Sequence, residues 1–309
     1  MKYIYTLFIV VLALTLKAQD LNFSQFNRAN MYLNPASVGD LKSWTVNYQF
    51  RNQWPKLSKP FVTNSLGVQY GFNKTVKGIG VAVLNNFAGD GSITSSSLSV
   101  PLAFGFNIKD KVDLSIGVQT SFLQEFVDWS SFTFGDEIDN QLGFISPSQD
   151  SLPPNNTVSI IDFSIGMEVK ISNLKAGFAG AHILEPNKSF FAVASESKLP
   201  FKFSSYLNYD IALGSVFKIT PSVLYVQQSD FNSLVMATTT SYKFVKIMFG
   251  YRVDDAAIFG LAFTTKRLDI GYSYDLTTSK LSNATGGSHE VGVRFRFGKH
   301  KEGAFDNAF

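Results

Sequence analysis

The chain has 309 residues, a formal net charge of +3, no cysteine and only 17% charged residues, against roughly 25% in an ordinary soluble domain. Without cysteine it has neither disulfides nor a bacterial lipid anchor, and no basic run suggests a nucleic-acid partner. Aromatic residues reach 15%, with 30 phenylalanines, and with low charge and no long apolar helix they suggest an outer-membrane barrel.

Residues 1–18 come first. Lys2, the apolar run "YIYTLFIVVLALTL" and "KA" before Gln19 read as a secretory signal peptide, too short to span a bilayer comfortably. Leu16 at −3 is less typical than alanine. Residues 19–42 differ from all that follows, because "QDLNFSQFNRANMYLNPASVGD" (19–40) permits a helical period. On a helix Phe23, Phe26, Ala29, Asn30 and Leu33 share a stripe, with Tyr32 away from it. Pro35 disfavours helix at Asn34, so the helix is expected to end there. One so short needs a surface to pack on. Residues 22–34 are therefore expected to enter or cap a barrel lumen from the periplasmic side, with Asn34-Pro35 handing the chain to the first strand at Ser43. The alternative is an extended periplasmic tail that docks on a partner.

From Ser43 to residue 298 the pattern has period two. Val291, Val293, Phe295 and Phe297 oppose Glu290, Gly292, Arg294 and Arg296; Ile161, Phe163, Ile165 and Met167 oppose Asp162, Ser164, Gly166 and Glu168. Fourteen strand-like segments begin near Ser43, Phe61, Gly78, Ile93, Val112, Thr157, Leu174, Pro200, Ser215, Asn232, Lys246, Ala257, Leu268 and Ser288. Their connections alternate between short turns such as "IKDK" and generally longer loops, the longest being 125–156. That sorting fits an all-β membrane barrel of about 14 antiparallel strands with periplasmic turns and surface loops. Charges fall on the polar face with both signs, so a lumen of paired charges is expected. Pro221 marks a bulge or a strand end. Residues 299–309 are left as a tail.

Candidates for chemistry are weak. Ser288 and His289 are adjacent on a strand and point apart, which excludes a nucleophile–base pair. Asp136–Glu137 and Asp254–Asp255 could hold a hard cation, but lack EF-hand spacing and read better as solvated rim charges. "GDGS" at 89–92 reads as a hairpin turn. No cofactor or metal site is expected, and no enzyme. Trp54, Trp129, Phe132, Phe134, Phe144, Phe190 and Phe191 lie in or beside loops, as an interfacial aromatic girdle or as a protein-binding surface.

"FSQFNRANMYLNPASVGD", "YQFRNQWP", "FGDEIDNQLGF", "EPNKSF", "GYRVDDAAIFGLAF" and "GYSYDLTTSKLSNATGGSHEVGVRFRF" resemble the PorP/SprF family of type IX secretion proteins, in order, from about residue 19 to 298. Members often read Tyr-Ala-Asn near Arg28 and Ala29. The resemblance implies an outer-membrane barrel working with the type IX machinery, which also serves gliding motility in some bacteria. Some members associate with periplasmic ring components; others hold secreted adhesins through a C-terminal sorting domain. Expected partners are therefore secretion machinery components, a secreted protein with that domain, and outer-membrane lipid. The expected contact surface is Trp54, Phe134, Asp136, Glu137, Asp139, Asn187, Phe190, Asp254 and Asp255. The other reading is a channel for hydrophobic or amphiphilic solutes, like long-chain fatty-acid channels, which share fourteen strands and an Asn-Pro-Ala hatch.

Overall fold

Alternating sequence becomes alternating exposure along each strand. The computed structural model describes residues 20–297 except 73–74, 110, 140, 149–151, 192–196 and 281. The expected signal peptide and the 299–309 tail lie outside the described residues. Fourteen strands form the wall: β1 (Trp44–Gln53), β2 (Phe61–Gly71), β3 (Val76–Ala88), β4 (Ile93–Ile108), β5 (Val112–Val127), β6 (Thr157–Ile171), β7 (Leu174–Ala181), β8 (Lys202–Tyr209), β9 (Phe217–Gln228), β10 (Phe231–Tyr242), β11 (Val245–Arg252), β12 (Ala256–Thr264), β13 (Leu268–Thr277) and β14 (Ser288–Phe297). Each starts within two residues of its expected position. Each pairs antiparallel with its sequence neighbours, and β1 closes on β14 from Trp44↔Phe297 to Gln53↔Ser288. Closure leaves no lipid-facing edge between first and last strands, as a membrane demands.

The molecule is inside out relative to a soluble protein. Leu66, Val81, Leu98, Val118, Phe163, Phe249, Leu261 and Phe295 point outward and are exposed, while Thr45, Arg51, Glu168, Asp269, Glu290 and Arg294 are buried. Ser288 is buried and His289 bonds Tyr272 on the outer side, so the two do point apart. The inner wall is not uniformly polar, however. Leu224, Val226, Val235, Ala237, Met248, Ile258 and Ala262 make an apolar patch inside β9–β12. This is why β9 alternates poorly in sequence: around Leu224 and Val226 both its faces are apolar, while Lys218, Thr220 and Ser222 keep the rest of its inner face polar. Pro221 stays in register with Thr238, but opposite it β8 breaks at Asp210 before a three-residue continuation, Ile211–Leu213. Proline has no N–H for that ladder.

Short connections (72–75, 109–111, 172–173, 214–216, 243–244, 265–267) gather at one rim. The other rim carries 54–60, 89–92, 128–156, 182–201, 229–230, 253–255 and 278–287. The long loop starts at 128 rather than 125, because β5 keeps Glu125 to Val127 paired with β4.

Residues 20–43 lie within this wall. Only Asn30–Leu33 (α1) is α-helical, followed by a 3-10 turn at Pro35–Ser37. The expected helix over 22–34 is thus reduced to one turn. An amphipathic helix answers a surface with one apolar side, whereas this segment is enclosed all round: Phe23, Gln25, Phe26, Arg28 and Asn34 are each at most 3% exposed. Nor does it cap the turn rim alone. Asp20 meets His182, Lys202 and Gln228 at the loop rim, and Asp40 meets Lys77, Lys170 and Lys175 at the turn rim. The segment therefore traverses the whole lumen.

Candidate functional site

Glycine makes room for the inner segment. Gly117 and Gly166 face each other across β5–β6, and there a Cβ would collide with Pro35–Ala36 and with the Asn34 side chain. Gly271 and Gly292 face each other across β13–β14 and receive Gln25 and Arg28; Gly71 and Gly78 receive Gly39. Each pair is a flat notch in the wall. Asn34 uses its notch fully: Nδ2 donates to Met167 O at 3.0 Å and Phe178 O at 3.3 Å, and Oδ1 accepts from Ala36 N at 2.9 Å, capping the 3-10 turn.

Charge fixes the rest. Arg28 pairs with Asp269 at 2.7 Å, both side chains fully buried. Glu290 accepts from Ser24 N (2.8 Å) and Gln25 N (3.1 Å) and pairs with Arg51 at 3.1 Å. Asp275 takes Ser24 Oγ at 2.6 Å, Arg51 at 2.9 Å and Arg252 at 3.3 Å. The wall thus binds the segment's backbone as well as its side chains. Phe26 and Leu33 pack on the apolar patch of β9–β12, and Phe23 stands edge-on to Tyr32 with ring centres 5.7 Å apart. Tyr32 donates to Leu21 O at 2.9 Å. At the turn rim Lys77, Lys170 and Lys175 share Asp40 and Glu168. They hold the Asp40 carboxyl well below the usual carboxylate range against the opposing effect of burial.

At the loop rim His182 bridges Asp20 (2.8 Å) and Asp162 (2.9 Å), with Lys202 3.4 Å from Asp20 and 4.9 Å from the Tyr32 ring. Burial opposes charging His182, but bonds to Asp162 and Asp20 raise it from its ordinary 6.5 to about 9. Burial likewise favours neutral Asp20, yet Lys202 and then His182 hold its carboxyl well below the usual range. A pKa raised on folding means that the His182 contacts stabilise fully below about pH 6.5 and are lost as pH rises through about 9. A spin label at Leu21→Cys is therefore expected to gain mobility between pH 6 and 10, and His182→Ala to abolish that dependence. Equal mobility at both pH values with His182 present would contradict this role.

Beside the segment lies a cavity of about 430 Å³, lined by Ser95, Ser97, Leu123, Ile160, Asp162 and Leu199 among others, near the loop rim.

The expected contact residues all sit at the loop rim but in separate groups. Phe134, Asp136, Glu137 and Asp139 belong to loop 128–156. Asn187 and Phe190 belong to loop 182–201, and Trp129–Phe190 ring contact at 5.5 Å joins the two loops. Trp54 packs on Phe61 and donates its backbone N–H to Gly287 O at 2.9 Å. Asp255 pairs with Arg252 at 2.8 Å, and Asp254 is exposed. Three carboxylates of the long loop are taken up by the loop itself. Glu137 accepts from Phe134 N and Ser148 N, Asp136 from Ser148 Oγ, and Asp139 from Gln141 N and Leu142 N. Those two amides hold Asp139 below its usual pKa. Asn187 accepts from Ser189 N and Ser197 N. What the loop presents instead is a small hairpin, Ile138–Asp139 against Gly143–Phe144, with Leu142 79%, Phe144 64%, Ile138 52% and Ile145 52% exposed. Phe144 was visible in sequence as a loop aromatic; the aliphatic residues beside it were not singled out.

The family described as Type IX secretion system membrane protein PorP/SprF matches residues 15–295. No curated protein sequence matches the chain. Among solved structures, the deltaS2 mutant of the TodX monoaromatic hydrocarbon channel aligns with TM-score 0.52 at 11% identity, covering 88% of this chain and 94% of that one. The Ralstonia pickettii toluene transporter TbuX aligns with TM-score 0.50 at 11% identity (88% and 94%), and the CymD monoaromatic hydrocarbon channel with 0.50 at 9% (92% and 95%). At these identities the likeness is one of fold.

Proposed function

Because the chain belongs to the PorP/SprF family of type IX secretion membrane proteins, we propose that it is a closed, non-enzymatic outer-membrane barrel that binds secreted proteins through their C-terminal sorting domain at its loop rim and holds them at the cell surface. The observation that carries this reading is the lumen. Residues 20–43 run through it from rim to rim, held by Asn34, Arg28 and Ser24. In this reading they are a plug, and the working surface is outside. Loop 128–156 fits a docking role. Its own carboxylates brace a hairpin whose apolar tip is exposed, and apolar and aromatic side chains on a rigid mount suit protein recognition. Phe134, Asp136, Glu137 and Asp139 then act mainly by shaping that surface, Asn187 and Phe190 belong to the neighbouring loop joined to it by Trp129, and Trp54, Asp254 and Asp255 are contacts elsewhere on the same rim.

Pull-down with a type IX C-terminal domain tests it. Wild-type barrel is expected to retain the domain, and a variant lacking 129–155, which leaves β5 and β6 whole, to retain it at least tenfold less. Equal retention would remove the long loop from the reading. A second reading is favoured by the 430 Å³ cavity and by solved barrels described as hydrocarbon channels: passage of small hydrophobic solutes. Glu125, Asp162, His182, Lys188 and Lys202 in the cavity lining weigh against it, and toluene uptake into vesicles carrying the barrel discriminates.

A further inference from the structure

One strand of the wall is paired on one side only over part of its length. β6 pairs with β5 throughout, from Thr157↔Phe126 to Ile171↔Val112, whereas β7 covers only Ile165–Ile171. Past Ile165, Ile183 N donates to Phe163 O at 3.2 Å. His182 (φ 57) and Glu185 (φ 43) then turn the chain, and Lys188 pairs with Glu125 of β5 at 3.2 Å. Residues 157–161 therefore have no second ladder partner among the described residues. Asn156 O accepts from Val127 on the β5 side and Phe163 O from Ile183 on the other. Alternate residues of a strand address alternate edges, so the N–H and C=O groups of Thr157, Ser159 and Ile161 face the open one.

Two further observations bear on what belongs there. Ile161 is 60% exposed, more than any other large apolar side chain of the fourteen strands. Its outward row continues through Phe122, Leu98, Val83 and Leu66, all exposed and apolar. The open edge thus stands beside the lipid-facing belt, where no water is at hand to satisfy unpaired backbone groups. Directly behind it, Val158, Ile160, Asp162 and Leu199 line the 430 Å³ cavity.

We propose that the open edge of β6 at Thr157–Ile161 receives an extended, largely apolar strand of the secreted partner by β-strand addition, with alternate side chains entering the cavity. Backbone donors and acceptors spaced along an edge match an extended peptide and nothing in an acyl chain. The cavity takes the inward side chains beside Val158 and Ile160, and lipid or Ile161 meets the outward ones. About five residues, roughly 17 Å of strand, fit the length. This rests on the cargo-binding reading above and names its contact.

The experiment uses the full barrel and a type IX C-terminal domain. Ser159→Pro removes an N–H that faces the open edge, so it leaves the β5–β6 ladder intact; Ile160→Pro removes one that faces β5 and is the contrasting variant. S159P is expected to fold as wild type and to bind the domain at least tenfold more weakly. As the chain has no cysteine, S159C reports this edge alone. It is expected to crosslink to positions two residues apart on one strand of a cysteine-scanned domain. Failure of wild type to bind overturns the functional reading and this inference with it. Wild-type binding with S159P unchanged overturns the edge alone. So does S159C–S159C dimer formation by the barrel without partner, which assigns the edge to a second copy, and so does crosslinking only to lipid.

Discussion

A chain carrying Gly117→Val and Gly166→Val is expected to form its barrel and lose the seat of its own N-terminal segment. The two positions are directly opposed on β5 and β6. A Cβ at Gly166 falls on Asn34 Oδ1, and one at Gly117 falls on the backbone of Pro35 and Ala36. Valine is a good strand former, so the wall itself loses nothing by the exchange. The inner segment has nowhere to retreat, since Arg28 is held in the Gly271–Gly292 notch and Gly39 in the Gly71–Gly78 notch. Displacement removes the bonds that Asn34 Nδ2 donates to Met167 O and Phe178 O, each worth about 1 kcal/mol. Planar-bilayer conductance should rise from near zero to that of an open barrel, and protease should cut near Asn34. A double variant as closed and protected as wild type would show that the notches do not seat the segment.

The glycine notches also mark where sequence reading ran out. Strand positions were legible because one face of β14 reads Glu290, Gly292, Arg294, Arg296 and the other Val291, Val293, Phe295, Phe297. That Gly117 lies opposite Gly166, 49 positions later, needs the register between two strands, and no single-strand pattern carries it. The inner segment was legible as the exception to period two. Its helix is shorter than the amphipathic pattern implies because such a pattern answers one apolar surface, while the lumen offers Glu290 to the backbone of Ser24 and Gln25 and an apolar patch to Phe26. Asp136, Glu137 and Asp139 drew attention as exposed acids. Their actual partners are amides and a hydroxyl within a dozen residues, a relation fixed by loop conformation. The open edge of β6 depends on where β7 stops, which the run of small residues in "LKAGFAGA" does not announce.

Arg51→Ala is expected to have the second large effect, and to separate two roles of the buried charges. Arg51 lies between Asp275 and Glu290, with side chains at most 2% exposed. Removing one member of such a group leaves carboxylates buried without their partner, which costs about 3–5 kcal/mol. Arg252, 3.3 Å from Asp275, softens the loss there but does not reach Glu290 in the same way. Glu290 keeps only the amides of Ser24 and Gln25 and the Gln49 side chain. Urea unfolding of the detergent-solubilised barrel should shift to lower concentration, and an S24C thiol should become reactive. The double variant Arg51→Met/Glu290→Met then tells stability from positioning. Replacing a buried pair by apolar residues of similar volume is often neutral, so unfolding should recover toward wild type. The S24C thiol should stay reactive, because no carboxylate remains to accept the amides of Ser24 and Gln25. Recovery of both would mean that packing alone aligns the segment. Recovery of neither would mean that the wall needs the charges to close. Recovery of unfolding alone assigns Glu290 the task of fixing where the segment lies, which a lumen filled by the chain's own N-terminus requires more than it requires added stability.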